Sequence, residues 1–279
     1  MSHLGPLAHW IGFSTFLVAM LVIDLVFLHR GETRVSGRRA LRASAVWIAL
    51  GLAVGCIIGW RLGRGAFVEY MTAYVVEESL SIDNLFVFAL LFSAFRIPPE
   101  HQHRVLFWGI FGALVMRLGF ILAGVALLAR FHWIMYVFGL VLLVAAIRIG
   151  RARGDEPPEH SLLVRAIGRV LRTTPDLRGG RFFVRDAATG VLLATPLFAV
   201  LVALATTDIA FAIDSIPAVL GVTTDSFIVF TSNAMAILGL RSLYFAVAAG
   251  LDRLRHLKTG LAAILAFIAA KMLAHDLVH

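Results

Sequence analysis

The chain has 279 residues, of which 60% are apolar and only 15% are charged. Soluble domains carry about 25% charged residues, whereas apolar runs of about 18 residues or more, typical of membrane-spanning helices, recur along this chain. The composition therefore excludes an ordinary soluble protein and predicts a single transmembrane domain over residues 1–279. The net charge of +8 does not indicate nucleic-acid binding, because most basic residues fall in short loops that orient helices.

The apolar runs predict an all-α membrane protein with about eight transmembrane helices. The first run lacks a basic segment before it and an obvious signal-peptidase site, so we expect an uncleaved first helix. The lone cysteine, Cys56, lies in an apolar run and excludes an intrachain disulfide or a multi-cysteine metal site. The predicted spans are 7–29, 43–60, 69–95, 104–129, 131–149, 191–216, 227–250 and 258–276.

Arginine is concentrated in alternate loops, which predicts the orientation of the helices. By this rule both termini are outside, and the basic loop 150–190 is cytoplasmic. That loop contains SLLVRAIGRVLR, a basic amphipathic stretch that we expect on the inner membrane surface. A regulatory docking role for the same stretch is the alternative.

The two halves of the chain resemble each other. EESLSIDN aligns with TDIAFAIDS, and the two helices that follow also align in order. The aligned pairs are Glu77 with Asp208, Asp83 with Asp214, Arg117 with Arg241, and Arg148 with Lys271. Three helices is an odd number, so the second copy enters from the opposite face, as in the inverted repeats of secondary transporters. We therefore expect repeat one at 66–149 and repeat two at 191–275, with two N-terminal helices at 1–64 outside the repeat.

Six carboxylates fall in or at the edge of the predicted spans. An ionised carboxylate at the bilayer centre costs roughly 2.5–3.5 kcal/mol on insertion scales, so each needs compensation. Ion pairing with three intramembrane basic residues is one explanation, but the acids outnumber the bases. A proton relay and a bound cation are the others. The acids are Asp24, Glu77, Glu78, Asp83, Asp208 and Asp214, and the bases are Arg117, Arg241 and Lys271.

Helical spacing places polar residues on one stripe of each acidic helix. If the two helices cross antiparallel at their midpoints, Glu77 lies level with Asp214, and Asp83 lies level with Asp208. Carboxylates from both repeats would then converge at the repeat interface. The stripes are Glu77, Ser81 and Asn84 on one helix, and Asp208, Ala212 and Ser215 on the other.

The side chains in this cluster offer only oxygen ligands, which suit Mg²⁺, Ca²⁺ and Mn²⁺ better than Zn²⁺ or Cu²⁺. The predicted metal ligands are Glu77, Asp83, Asn84, Asp208 and Asp214. Secondary candidates are Asp24, Glu78, Ser81, Ser215 and Asn233. Arg117, Arg241 and Lys271 are predicted to compensate charge, and no residue is predicted to be catalytic.

Several motifs resemble those of the TerC family of bacterial membrane proteins, which is named for tellurium resistance and linked to manganese export. They are VEESLSIDNLFVF, VLFWGIFGALVMR, FHWIMYVFG, TDIAFAIDSIPAVLGVT and FIVFTSNAMAILGLRSLYF. The family in turn is similar to the lysine-exporter superfamily in its three-plus-three arrangement. Two positions depart from the family pattern: Ala205 stands where relatives often have glutamate, and Glu78 where they often have lysine. These changes either preserve the charge of the site or alter its ion choice or its coupling.

The resemblance implies a secondary transporter in the bacterial inner membrane that exports a divalent cation, with Mn²⁺ as first candidate, in exchange for protons. The expected partners are the metal ion, protons and the lipid bilayer, with no nucleic acid and no resident cofactor. An exporter of another cation such as Ca²⁺ is an alternative, as is a non-transporting membrane partner in tellurium resistance or envelope metallation. A membrane enzyme is not expected, because G-x-S-x-G, H-E-x-x-H and G-x-G-D motifs are lacking.

Overall fold

The computed structural model describes residues 4–28, 37–131, 133–151, 174, 177, 180–185, 190–247, 263, 266–270 and 272–273. Most of these residues are helical, and those at 263, 266–270 and 272–273 belong to helix near the C-terminus. The longer helices are α1 (Leu4–Leu28), α2 (Gly37–Leu62), α3 (Arg64–Ala94), α4 (Pro99–Arg130), α5 (Ile134–Arg151), α6 (Pro196–Leu220) and α7 (Ser226–Val247).

Within the described part of the chain, four helices are long and apolar enough to cross a membrane, namely α2, α4, α6 and α7. The helices α1 and α5 contain shorter apolar segments, Leu7–Ile23 and Ile134–Val144. The helix α3 has 31 residues and rises about 46 Å, more than the roughly 30 Å of a hydrocarbon core. The fold is thus that of a multi-pass helical membrane protein, whereas eight spans and an inverted repeat remain predictions.

The helix α7 lies at the centre of the bundle. All of its residues from 228 to 241 are buried, and it packs against α2, α3 and α4. On its remaining side it contacts α1 through aromatic rings, with Trp10 and Phe13 against Phe227 and Phe230 at centroid distances of 5.5–6.1 Å. The outer helices expose large apolar side chains such as Val46 and Val115, which suits a lipid-facing surface.

Close packing of α2 on α3 depends on glycines one helical turn apart. Gly51 and Gly55 face Tyr74 and Tyr70, and a Cβ added at Gly51 would lie 2.6 Å from Cζ of Tyr74. The Tyr70 hydroxyl donates a hydrogen bond of 3.0 Å to the Gly51 carbonyl, which the small residue leaves accessible. Small residues at such spacing let helices approach closely in membranes. This contact attaches α2 to the acid-bearing helix α3.

A short antiparallel hairpin, which the sequence analysis did not predict, precedes α6 in this mostly helical fold. The strands β1 (Phe183–Arg185) and β2 (Leu192–Ala194) pair with Phe183 opposite Ala194 and Arg185 opposite Leu192. The prediction of a membrane span beginning at residue 191 was therefore wrong at its start. Thr195 ends the strand in an extended conformation, and Pro196 begins the helix, where its missing N–H costs nothing.

Candidate functional site

The centre of the site is Arg117, on α4. Its Nη1 donates hydrogen bonds to Glu77 Oε2 on α3 at 2.8 Å and to Ser215 Oγ on α6 at 3.2 Å. Its Nη2 donates to Asp208 Oδ1, also on α6, at 3.2 Å. One guanidinium therefore connects three helices and contacts an acid from each predicted repeat.

These side chains are removed from solvent. Glu77 is 0% exposed, Arg117 1% and Asp208 7%, and Asp208 is near the middle of the 25 residues of α6. A buried charge is costly unless it is paired, and the ion pairs with Arg117 partly meet that need. Two carboxylates share one guanidinium, so this set of three side chains has a formal charge of −1.

Several buried oxygen atoms on α3 and α6 lack a hydrogen-bond partner among the described residues. They include the second carboxylate oxygen of each acid that Arg117 contacts. Ser81 lies one helical turn beyond Glu77 on the same face of α3. Its hydroxyl also lacks a hydrogen-bond partner among the described residues. The atoms are Glu77 Oε1, Glu78 Oε2, Ser81 Oγ and Asp208 Oδ2. Buried polar atoms are usually satisfied, so these oxygens are candidates to bind a ligand.

A small cavity of about 20 Å³ adjoins the cluster. Its polar lining comes from Asn84, Arg117 and Asp208, while apolar side chains such as Phe88 and Ile237 form much of the rest. A volume of that size is sufficient for about one water molecule. The cavity is therefore large enough for one water-sized ligand beside Arg117 and Asp208.

The other predicted site residues are distributed around this cluster. Asn233 and Arg241 are buried on the central helix α7, while Glu78 on α3 and Asp214 on α6 are half-buried. Asp24 and Asp83 belong to α1 and α3, but their side chains are outside the described part of the structure, as is Lys271.

The expected helix crossing placed Glu77 level with Asp214. In the structure, Glu77 shares Arg117 with Asp208 and with Ser215, the neighbour of Asp214.

The described side chains do not include a group of three or more His, Cys, Asp or Glu that could hold a metal ion. The predicted five-residue ligand set is therefore not assembled among them, and Asp83, one of its members, lies outside them. Glu77 and Asp208 both face a guanidinium in this conformation. A cation that uses both acids has either to bind their second oxygens, Glu77 Oε1 and Asp208 Oδ2, or to displace the guanidinium.

A second polar contact, which the sequence did not indicate, connects the start of α3 with the turn between α6 and α7. The Thr223 hydroxyl donates to Glu69 Oε2 at 2.6 Å, and the Asp225 N–H donates to the same hydroxyl at 3.2 Å. Asp225 also caps α7 by accepting from Phe227 N–H at 2.8 Å. The signal available in the sequence was Glu69 itself, an acid at the edge of an apolar run.

The fold and the buried cluster define the class of the protein. It is a multi-pass helical membrane protein with a charged site buried between its helices. The family model described as the integral membrane protein TerC family matches residues 62–279. The chain belongs to the TerC family, in agreement with the resemblance seen in its motifs.

Relatives match nearly the whole chain. A protein of Myxococcus xanthus named "Uncharacterized membrane protein STKORF319" is 47% identical over 270 residues, which cover 96% of this chain and 84% of the relative. A protein of Escherichia coli strain K12 named "Putative membrane-bound redox modulator Alx" is 41% identical over 289 residues, covering 100% of this chain and 89% of the relative. A membrane protein of Rickettsia bellii is 36% identical over 272 residues, covering 96% and 89%. No solved structure matches the chain.

Proposed function

We propose that this protein is a secondary transporter that exports a divalent metal cation, with Mn²⁺ as first candidate, from the bacterial cytoplasm across the inner membrane. The observation that carries the proposal is the set of buried oxygens without partners beside Arg117, on Glu77, Ser81 and Asp208. Carboxylate and hydroxyl oxygens suit hard divalent cations. The proposal includes no enzymatic step and no resident cofactor.

Arg117 has a specific role in this proposal, since it occupies the acids when no metal is bound. A dication needs the same carboxylates, so its binding and the ion pairs of Arg117 compete. Withdrawal of the guanidinium would expose Glu77 Oε2 and Asp208 Oδ1, which add to the oxygens already without partners. Because Arg117 leaves one negative charge uncompensated in the empty site, we propose that a proton neutralises it and that transport exchanges metal for protons.

The positions of the acids suit alternating access. Glu77 on α3 and Asp208 on α6 come from the two predicted repeats, and transporters with inverted repeats bind their substrate at the repeat interface. The helices α3 and α6 pack against each other, and Arg117 connects them from α4. Breaking and remaking these contacts would let the two halves rock around a site near the middle of the bundle.

Metal binding by the purified full-length chain tests the proposal. Calorimetric titration with Mn²⁺ should give binding that Glu77→Gln and Asp208→Asn each weaken at least tenfold, because each removes a charge and keeps the shape. Thr206→Val is a matched control, since Thr206 is exposed on the same helix as Asp208. Equal affinity in the parent, the control and both acid variants would show that Glu77 and Asp208 do not bind the metal. A parallel titration with Ca²⁺ tests the alternative ion.

The names of several relatives suggest a second candidate, a membrane-bound redox modulator. This chain has a single cysteine, so a disulfide within the chain is impossible. That residue, Cys56, is exposed on α2. Under this alternative the chain would act through Cys56 and a partner protein, or through its effect on metal levels. A Cys56→Ala variant separates a thiol-based role from metal transport.

A further inference from the structure

The hairpin formed by β1 and β2 is fixed where two membrane helices begin. Arg104, in the first turns of α4, donates to the Gly180 carbonyl at 2.8 Å, and its guanidinium lies 5.6 Å from the ring centroid of Phe182. Thr195, directly before α6, donates through its N–H to the Phe182 carbonyl at 2.9 Å. Its hydroxyl donates to the Arg181 carbonyl at 2.6 Å. Since α4 and α6 are both long and apolar enough to cross the membrane, we infer that the hairpin lies at the membrane–water boundary.

One face of the hairpin combines exposed apolar and basic side chains. Alternation along a strand places Phe183 and Arg185 on the same face of β1, and Leu192 lies directly opposite Arg185 on β2. Phe183 is 43% exposed and Leu192 is 60% exposed, and both Arg181 and Arg185 are exposed. Phe183 also lies against Phe198 in the first turn of α6, with ring centroids 4.4 Å apart, so this face continues along the side of a membrane helix.

These residues, together with Val184 from the other face of β1, line an open groove of about 520 Å³. The described residues that line it are Arg181, Phe183, Val184, Arg185 and Leu192, and two of these five are arginines. A guanidinium is positively charged and presents its N–H donors in a planar fork. It therefore complements the negative charge and the acceptor oxygens of a phosphate group. Apolar side chains beside basic ones are typical of segments that enter the boundary between headgroups and acyl chains.

We propose that this groove is a binding site for an anionic phospholipid of the membrane surface. Arg181 and Arg185 hold the headgroup phosphate, and Phe183 and Leu192 insert between the first segments of the acyl chains. The negative surface potential of anionic lipid supports the same placement, because it attracts basic segments at the membrane edge. Lipid bound here stabilises the hairpin, and through the contacts of Arg104 and Thr195 it holds the starts of α4 and α6. The site is separate from the Arg117 cluster and does not depend on which ion is transported.

Thermal unfolding of the full-length chain in detergent tests this site. Each sample receives phosphatidylglycerol, phosphatidylcholine with the same acyl chains, or inorganic phosphate. The test variant is Arg181→Gln with Arg185→Gln, and the control is Arg61→Gln with Arg64→Gln, which removes two exposed arginines at the α2–α3 junction. We expect phosphatidylglycerol to raise the unfolding temperature of the parent and the control by several degrees more than phosphatidylcholine does, and the test variant to lose most of this difference.

Three results would overturn the proposal. The first is an equal phosphatidylglycerol effect in the test variant, the control and the parent, because a general response to anionic lipid would then explain it. The second is no preference for phosphatidylglycerol in the parent. The third is full reproduction of the stabilisation by inorganic phosphate, which would mean that the arginines bind a free anion and not a lipid. A Leu192→Ser variant that weakens the phosphatidylglycerol effect while leaving any phosphate effect unchanged would support acyl-chain contact.

Discussion

Arg117 on α4 donates a hydrogen bond of 2.8 Å to Glu77 on α3, and both side chains are almost completely buried. The same guanidinium contacts Asp208 and Ser215 on α6. A buried ion pair is weak support for stability by itself, because desolvation offsets much of the attraction. Its importance here is that one cation mediates contacts among three helices, while several carboxylate oxygens have no hydrogen-bond partner among the described residues.

Removing the charge of Arg117 should destabilise the protein. In Arg117→Gln, two buried acids lose their shared cation, and breaking a buried pair costs about 3–5 kcal/mol. If Arg117 also competes with metal, Mn²⁺ should raise the unfolding temperature of this variant more than that of the parent. Thermal unfolding with and without Mn²⁺ measures both effects.

The matched control for this prediction is Arg130→Gln, which changes an exposed arginine at the end of the same helix. It should have parental stability and a parental response to Mn²⁺. An Arg117→Gln protein with parental stability would show that the ion pairs contribute little. Loss of stability without a larger Mn²⁺ response would show that Arg117 is structural and does not compete with the ion.

Ser215 provides a milder test of the same cluster. Its hydroxyl is one of the three acceptors that Arg117 contacts, at 3.2 Å, and a hydrogen bond to a charged group contributes about 1.5–3 kcal/mol. Ser215→Ala should therefore cost less than Arg117→Gln, because both ion pairs remain. Unfolding of the two single variants and the double variant would measure their coupling, and additive effects would indicate that the two side chains act independently.

The apolar runs were sufficient to predict where most helices lie, because membrane helices have to satisfy their backbone internally and cover themselves with apolar side chains. The start of α6 was missed because Leu192–Ala194 is apolar and continuous with the helix, although it pairs as a strand. Thr195 followed by Pro196 was the available signal, since extended residues and proline commonly precede and begin helices.

For the site, the sequence identified buried acids and bases but not which of them meet. The positions of residues along two helices that cross at their midpoints suggested that Glu77 lies beside Asp214. The long side chain of Arg117 reaches from a third helix to both Glu77 and Asp208. A comparison of only the two acidic helices does not include this third helix, so it could not predict the contact. The contact of Glu69 with Thr223 depends on a turn whose position relative to α3 is set by tertiary packing.

The close packing of α2 on α3 predicts that replacing Gly51 with a larger residue destabilises the protein. In Gly51→Ala the new Cβ would lie 2.6 Å from Cζ of Tyr74, so the ring has to move, and overpacking of this kind costs about 1–3 kcal/mol. Gly119→Ala is the control, because a Cβ at Gly119 has open space around it. Thermal unfolding should show a loss for the first variant and none for the second. A fully stable Gly51→Ala protein would mean that the Tyr74 ring or the α2–α3 contact adjusts at little cost.

The lone thiol separates the two functional candidates. Cys56 is exposed on α2 and does not belong to the Arg117 cluster. Cys56→Ala should retain parental Mn²⁺ flux in proteoliposomes, and Cys56→Ser serves as a control for side-chain size and polarity. If both variants lose the physiological activity of the protein while Glu77→Gln retains it, the thiol-based alternative is favoured over metal transport.

The central claim is that Glu77 and Asp208 carry a divalent cation across the membrane. The most direct measurement is the initial rate of Mn²⁺ flux into proteoliposomes driven by a proton gradient, compared among the parent, Glu77→Gln, Asp208→Asn and the control Thr206→Val. Asp83→Asn and Asp214→Asn extend the series to the remaining predicted carboxylate ligands. We predict proton-dependent flux in the parent and the control, and at least a tenfold loss in each acid variant that still folds. Parental flux in folded Glu77→Gln and Asp208→Asn proteins, or no flux in the parent under either direction of the gradient, would contradict the claim.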